Sequence, residues 1–118
     1  MKAFKVHIEL YGRKVIVCIG GNSKKVRRLL KKEGIGNKEL RKIDLSDCDG
    51  YTYMLPSGLT LLWLQKAPKT PYFRGILSHE CLHCTDMILD FVGVNREGNS
   101  ESHAYLLGYL VEQIYKKC

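Results

Sequence analysis

Three residues that can bind a metal or transfer a proton form the motif HExxH in a segment with helical spacing: His79, Glu80 and His83. Positions four residues apart on an α-helix are separated by one turn and by about 40° around the axis. Both imidazoles can therefore reach a single zinc ion, for which imidazole nitrogen is a common ligand. Glu80 lies about 100° from His79, where its carboxylate can act on a water as general base without binding the metal. The spacing predicts a catalytic zinc site.

A catalytic zinc ion usually has three protein ligands and one position for water. We predict Glu101 as the third ligand, because it begins the last predicted helix, eighteen residues after His83. One side of that helix carries four residues that would face the histidines: Glu101, Tyr105, Gly108 and Glu112. The glycine would permit close approach of the two helices. His103 competes as a ligand, but it points about 160° away from Glu101, and we interpret it as a solvated helix position.

Two tyrosines of the last helix could stabilise the oxyanion that forms during peptide hydrolysis. A hydrogen-bond donor is needed beside that charge, and Tyr105 and Tyr109 are the candidates. Both tyrosines are also explained as aromatic residues of the core or its rim. Tyr105 is retained as the candidate catalytic donor.

Cys81 and Cys84 form a C-x-x-C pair, a spacing that is often associated with metal or redox chemistry. On a helix, however, Cys81 lies about 160° from His79, and Cys84 lies about 100° from His83. We therefore interpret both cysteines as small buried apolar residues. A structural zinc site that combines Cys84 and Cys48 with a histidine is the alternative.

The combination of HExxH with a glutamate on the next helix resembles gluzincin-type zinc metallopeptidases. The segment 75–115 also looks like small phage-encoded zincin-like proteins. The resemblance covers about the last third of the chain. It implies His79, His83 and Glu101 as zinc ligands, Glu80 as the base, and a peptide or protein as the substrate.

Length and composition indicate one domain. The chain has 118 residues, of which 45% are hydrophobic and 26% charged, enough for a single core. No segment approaches the roughly 18 apolar residues of a membrane span, and Lys2 and Lys5 interrupt any secretion signal. The five cysteines form no compact framework, which favours a reduced, cytoplasmic setting, or the host cytoplasm if the protein is phage-encoded.

The elements that position the motif belong to an α+β domain that spans residues 1–118. Alternation, capping and turn residues predict the order strand, strand, helix, strand, strand, helix, helix, at 4–10, 15–19, 23–33, 51–55, 59–65, 71–91 and 100–116. Residues 1–66 supply two hairpins and a basic helix, and residues 70–118 supply the metal-site helices. The predicted fold is a minimal zincin-like domain whose small, mostly antiparallel sheet packs on the two C-terminal helices.

The predicted strand at 59–65 could contribute to binding of the substrate. At a sheet edge beside the histidine helix, its backbone could pair with an extended peptide. Its sequence, however, is apolar enough for an interior strand, because an exposed apolar edge promotes aggregation. Both alternatives remain open from the sequence.

Charge is distributed unevenly along the chain. Residues 1–43 contain thirteen basic and three acidic side chains, whereas residues 44–118 contain six basic and nine acidic ones. The predicted first helix has basic residues that could contact a nucleic acid or an acidic protein: Lys24, Arg27, Arg28, Lys31 and Lys32. A solvated helix face is the commoner explanation for such residues. The alternative function is therefore a non-catalytic binding module with a structural or vestigial metal site.

Overall fold

A computed structural model, which describes residues 1–118, contains a four-stranded mixed sheet with helices on both faces. The strands are β1 (Lys2–Ile8), β2 (Arg13–Ile19), β3 (Gly50–Met54) and β4 (Thr60–Leu64). The helices are α1 (Ser23–Lys32), α2 (Asn37–Leu40), α3 (Pro71–Phe91) and α4 (Ser100–Lys117). The α+β prediction is confirmed, including the two C-terminal helices packed on the sheet.

The strand order β1-β2-β4-β3 leaves β1 and β3 at the edges. β1 pairs with β2 and β3 pairs with β4 in antiparallel fashion, whereas β2 and β4 are parallel. Every residue of β4 is buried. Of the two alternatives for the strand at 59–65, the interior position is therefore the correct one, because helices cover both sheet faces and an apolar strand is most stable between two others. β3 is the edge strand beside α3.

Alternate side chains of β2 enter two separate cores. Val15 and Val17 pack in a core that also contains Leu77 of α3 and Leu110 of α4. The intervening residues of β2 point to the other face, where they meet α1 and the segment that follows it. The HExxH helix and the basic helix therefore lie on opposite faces of one sheet.

Two segments differ from the sequence prediction. β1 ends at Ile8, and Leu10 is 76% exposed in a 3₁₀ turn that ends at Gly12, whose φ is 62°. The segment 34–50, in which no helix or strand was predicted, contains α2 and the buried Ile43 and Leu45. None of the helices has the length and apolar character that crossing a membrane requires.

Candidate metal centre

The start of α3 fixes the position of the motif along the helix. The Thr70 side chain accepts a hydrogen bond of 3.2 Å from the Phe73 backbone N–H, and Pro71 occupies the first turn. These are favoured residues for a helix N-terminus, and α3 begins at residue 71, as predicted from the sequence. α3 then continues as a regular helix to Phe91, so the whole motif lies within it.

The two histidines lie side by side on the solvent face of α3. The distance between Nε2 of His79 and Nε2 of His83 is 3.1 Å, and both residues are exposed. Two nitrogens bound to one tetrahedral zinc ion at 2.0–2.1 Å would be about 3.3 Å apart. The pair therefore fits two ligands of one zinc ion, and the side-chain geometry is the one that the four-residue spacing predicts.

Glu80 is the buried member of the motif, with a side chain that is only 8% exposed. The Thr52 hydroxyl of β3 donates a hydrogen bond of 2.7 Å to Oε1 of Glu80. The other oxygen, Oε2, lies 4.0 Å from Nε2 of His79. One oxygen is thus held by the edge strand, and the other lies near His79.

Gly50 makes this arrangement possible. A Cβ atom at this position would lie 2.7 Å from Cγ of Glu80, 2.7 Å from Cγ2 of Ile76 and 3.0 Å from Oε2 of Glu80. These separations are far below van der Waals contact, so a side chain here would displace the carboxylate. Thr52 and Gly50 are the site residues that sequence reasoning missed, because no local pattern indicates which residues of an edge strand meet a helix.

The predicted third ligand is not brought to the histidines. The face of α4 that was expected to approach α3 is exposed throughout, at Glu101, Tyr105, Gly108 and Glu112. The buried face is the opposite one, with Leu106, Leu110 and Ile114. The expected orientation of α4 is therefore wrong, because burial of this apolar stripe sets the rotation of the helix. The i, i+4, i+8 spacing of the stripe is the sequence signal that could have revealed it.

α4 also lies on the wrong side of α3 to complete the site. Ser78 of α3 forms a shallow groove with Leu107, Gly108 and Val111 of α4. Around α3, Ser78 is about 100° from His79 and about 140° from His83. The histidines thus face away from α4, and no three His, Cys, Asp or Glu side chains come together in a group that could hold a metal ion.

The other three candidates on α4 also contact other parts of the structure, and the Tyr109 hydroxyl donates a hydrogen bond of 3.0 Å to the His7 carbonyl of β1. His103 is 9% exposed, and its Nδ1–H donates to the Asn99 carbonyl at 3.0 Å, so its interpretation as a solvated position is wrong. Tyr105 lines a small cavity with Ile8 and Leu10, where β1 ends. β1 and β3 are opposite edges of the sheet, so Tyr105 is distant from Glu80.

The C-x-x-C cysteines belong to the core, as predicted. Cys81 and Cys84 are fully buried and free. Burial raises the pKa of the Cys81 thiol to about 12, and burial also raises the pKa of Cys84. Because a thiolate is the form that binds metal, both thiols are poor ligands near neutral pH. The alternative site with Cys48 and a histidine does not form either.

The basic residues of α1 lie on the other side of the sheet from the histidines. Four of the five predicted contact residues are exposed, namely Lys24, Arg28, Lys31 and Lys32. Arg27 is partly buried, and its Nη2 donates to the Ile43 carbonyl. The structure therefore separates the two sets of predicted functional residues.

Comparison with known proteins identifies no relative of this chain. No protein-family model matches the chain, and neither the search of curated proteins nor the search of solved structures finds a similar one.

Proposed function

We propose that this protein is a zinc-dependent metallopeptidase, in which His79 and His83 hold the metal and Glu80 is the general base. The observation that carries the proposal is the arrangement of three side-chain groups. The two Nε2 atoms are 3.1 Å apart, and Oε2 of the buried Glu80 carboxylate lies 4.0 Å from one of them. A structural metal site has no use for a carboxylate held in that position.

The chain contributes ligands, a base and a means of orienting the base. A bound zinc ion would lower the pKa of a water molecule and polarise the peptide carbonyl. Oε2 of Glu80 is the atom that accepts the proton of the attacking water and returns it to the leaving nitrogen. Thr52, bonded to Oε1, keeps Oε2 directed toward the histidines. We propose two protein ligands, His79 and His83, with the remaining positions open to water and substrate.

β3 is the element that we propose to bind the substrate. It is an edge strand, so one side of its backbone has no partner strand, and its residue Thr52 contacts the base directly. An extended peptide that pairs with this edge would lie alongside the strand that contacts the proposed base. The substrate class that fits is therefore an unfolded or loop segment of a protein. A cytoplasmic location agrees with this assignment, because all five cysteines are free.

The test separates metal binding from hydrolysis. Protein purified without added metal is analysed for zinc, and cleavage of a mixed peptide library is followed by mass spectrometry. We expect about one zinc per chain in the wild type, loss of zinc in His83→Ala, and retained zinc with abolished cleavage in Glu80→Gln. Glu97→Gln, an exposed glutamate in the loop before α4, is the matched control and should cleave normally. Cleavage that persists in Glu80→Gln would overturn the proposal.

The second candidate function is a binding module that acts through α1 and has no catalytic activity. The exposed cations of that helix favour it. It predicts that Glu80→Gln changes neither zinc content nor partner binding. Cleavage distinguishes the two functions in one preparation. The metallopeptidase predicts cleavage by the wild type that Glu80→Gln abolishes, whereas the binding module predicts no cleavage by either protein.

A further inference from the structure

A groove between α1 and α2 gathers basic residues from both helices. Its volume is about 520 Å³, and it is lined by Lys24, Arg27, Arg28, Lys31, Asn37, Leu40 and Arg41. We call this set the basic groove. Arg41 was not among the candidates from the sequence, because the segment that carries it was predicted as a loop. In the folded chain, α2 places Arg41 beside α1, which ends about ten residues earlier in the sequence.

The cations of the basic groove form no ion pair. None of its lining residues is acidic, and neither the lysines nor the arginines among them form an ion pair with any carboxylate. By contrast, the neighbouring Lys42 is paired with Glu39 at 3.1 Å. Like charges held together without compensation repel each other, and a bound anion would relieve that repulsion.

The guanidinium of Arg27 is held in a fixed position at one side of the basic groove. Its Nη2 bonds to the Ile43 carbonyl, and its Nε is buried without a hydrogen-bond partner. The positive charge of Arg27 also contributes, after the hydrogen bonds from Ser46, to the lowered pKa of Asp44. Lys24, Arg28 and Arg41 are exposed around this anchored guanidinium, so they are free to contact a ligand.

We infer that the basic groove binds the phosphodiester backbone of a double-stranded nucleic acid without reading its sequence. The cations extend over two helices, and Lys24 and Lys31 are about 10 Å apart along α1, enough to contact more than one phosphate. The lining contains no aromatic residue on which an unpaired base could stack. Leu40 is its one apolar side chain, whereas a protein partner would require an apolar centre at the interface.

This inference does not depend on the zinc site, which lies on the other face of the sheet. The test uses the full chain and three fluorescent probes: a short mixed-sequence DNA duplex, the same duplex in RNA, and an oligoglutamate peptide. Binding is measured by anisotropy between about 50 and 200 mM salt. The groove variant carries Lys24→Gln, Arg28→Gln and Arg41→Gln. The matched control removes the same charge elsewhere, with Lys66→Gln, Lys69→Gln and Lys116→Gln, all exposed and in no ion pair.

We expect the wild type to bind a duplex with steep salt dependence. Each lost phosphate contact should reduce the slope of log K against log salt by about 0.9. The slope should therefore be smaller by about 2 to 3 in the groove variant. At low salt, the affinity of the groove variant for the duplex should fall by about tenfold or more. The affinity of the control should fall by less than about threefold. The duplex that binds more tightly identifies the DNA or RNA source.

Three results would overturn the inference. The first is that neither duplex binds at low salt. The second is that the control weakens binding as much as the groove variant does, because net charge alone would then explain it. The third is that oligoglutamate binds more tightly than both duplexes and depends on the same three residues. Thermal unfolding of both variants verifies that each is folded.

Discussion

The Thr52 hydroxyl donates a 2.7 Å hydrogen bond to Oε1 of Glu80, which joins the edge strand of the sheet to the central acid of the HExxH motif. This bond crosses 28 residues of sequence and is the one side-chain hydrogen bond that Glu80 makes. It satisfies one oxygen of a buried carboxylate and leaves the other directed toward His79. The orientation of the proposed base is therefore set by β3 and not by α3 alone.

Removing the Thr52 hydroxyl should impair catalysis without removing the metal. In Thr52→Val, Oε1 of Glu80 loses its donor, and leaving a buried polar group unpaired costs about 1–3 kcal/mol. We expect a lower free energy of unfolding by that amount in urea titration, unchanged zinc content, and a kcat reduced by about tenfold with little change in KM. Thr52→Ser keeps the hydroxyl and should restore most of both properties. Equal behaviour of the two variants would show that the hydroxyl does not position the base.

Adding a methyl group at Gly50 should force β3 away from α3. The new Cβ would lie 2.7 Å from atoms of Ile76 and Glu80, and overpacking of this kind costs about 1–3 kcal/mol. Gly108→Ala is the matched control, because its Cβ meets nothing within 4 Å and α4 is helical there. Alanine in a helix interior should raise stability by about 1 kcal/mol relative to glycine. Urea unfolding of both variants measures the contrast, and a Gly50→Ala protein as stable as the wild type would contradict the close approach.

Zinc affinity should depend on the histidines and not on Glu101. Glu101 is exposed in the first turn of α4, and α4 packs on the side of α3 that faces away from the histidine pair. We expect Glu101→Gln to change the zinc Kd by less than about twofold, whereas loss of one imidazole in His83→Ala should weaken it by tenfold or more, by analogy with ligand-shell losses. Competition titration against a zinc indicator gives both values. If the two variants lose affinity equally, α4 must rearrange to bring Glu101 to the metal.

The cysteines should differ sharply in reactivity in the native protein. Cys18, Cys81 and Cys84 are fully buried, and burial raises the pKa of Cys81 to about 12. At pH 8 the thiolate fraction of Cys81 is then about one in ten thousand, and only the thiolate reacts with iodoacetamide. The partly exposed Cys48 and Cys118 should be alkylated first.

Peptide mapping by mass spectrometry after brief alkylation identifies the modified sites. In urea, all five cysteines should react at similar rates. Rapid native labelling of Cys81 or Cys84 would show that α3 opens or that its core stripe is more accessible than the structure indicates.

Local features of the site could be predicted from the sequence. The cap at Thr70 and Pro71 fixed where α3 begins, and the four-residue spacing placed His79 and His83 on one face of it. The same helical geometry placed Cys81 and Cys84 off the histidine face. These features depend on contacts between residues a few positions apart, and backbone geometry alone determines them.

Other features depended on the packing of distant elements. The sequence left the edge strand undecided, and only the pairing of β4 with both β2 and β3 showed that β3 lies beside Glu80. The rotation of α4 followed from burial of Leu110 and its neighbours against the sheet, and this turned Glu101 to solvent. Helical periodicity thus determines which residues share a face. Long-range burial of apolar surface decides which face meets the rest of the protein, and so which side chains can share one site.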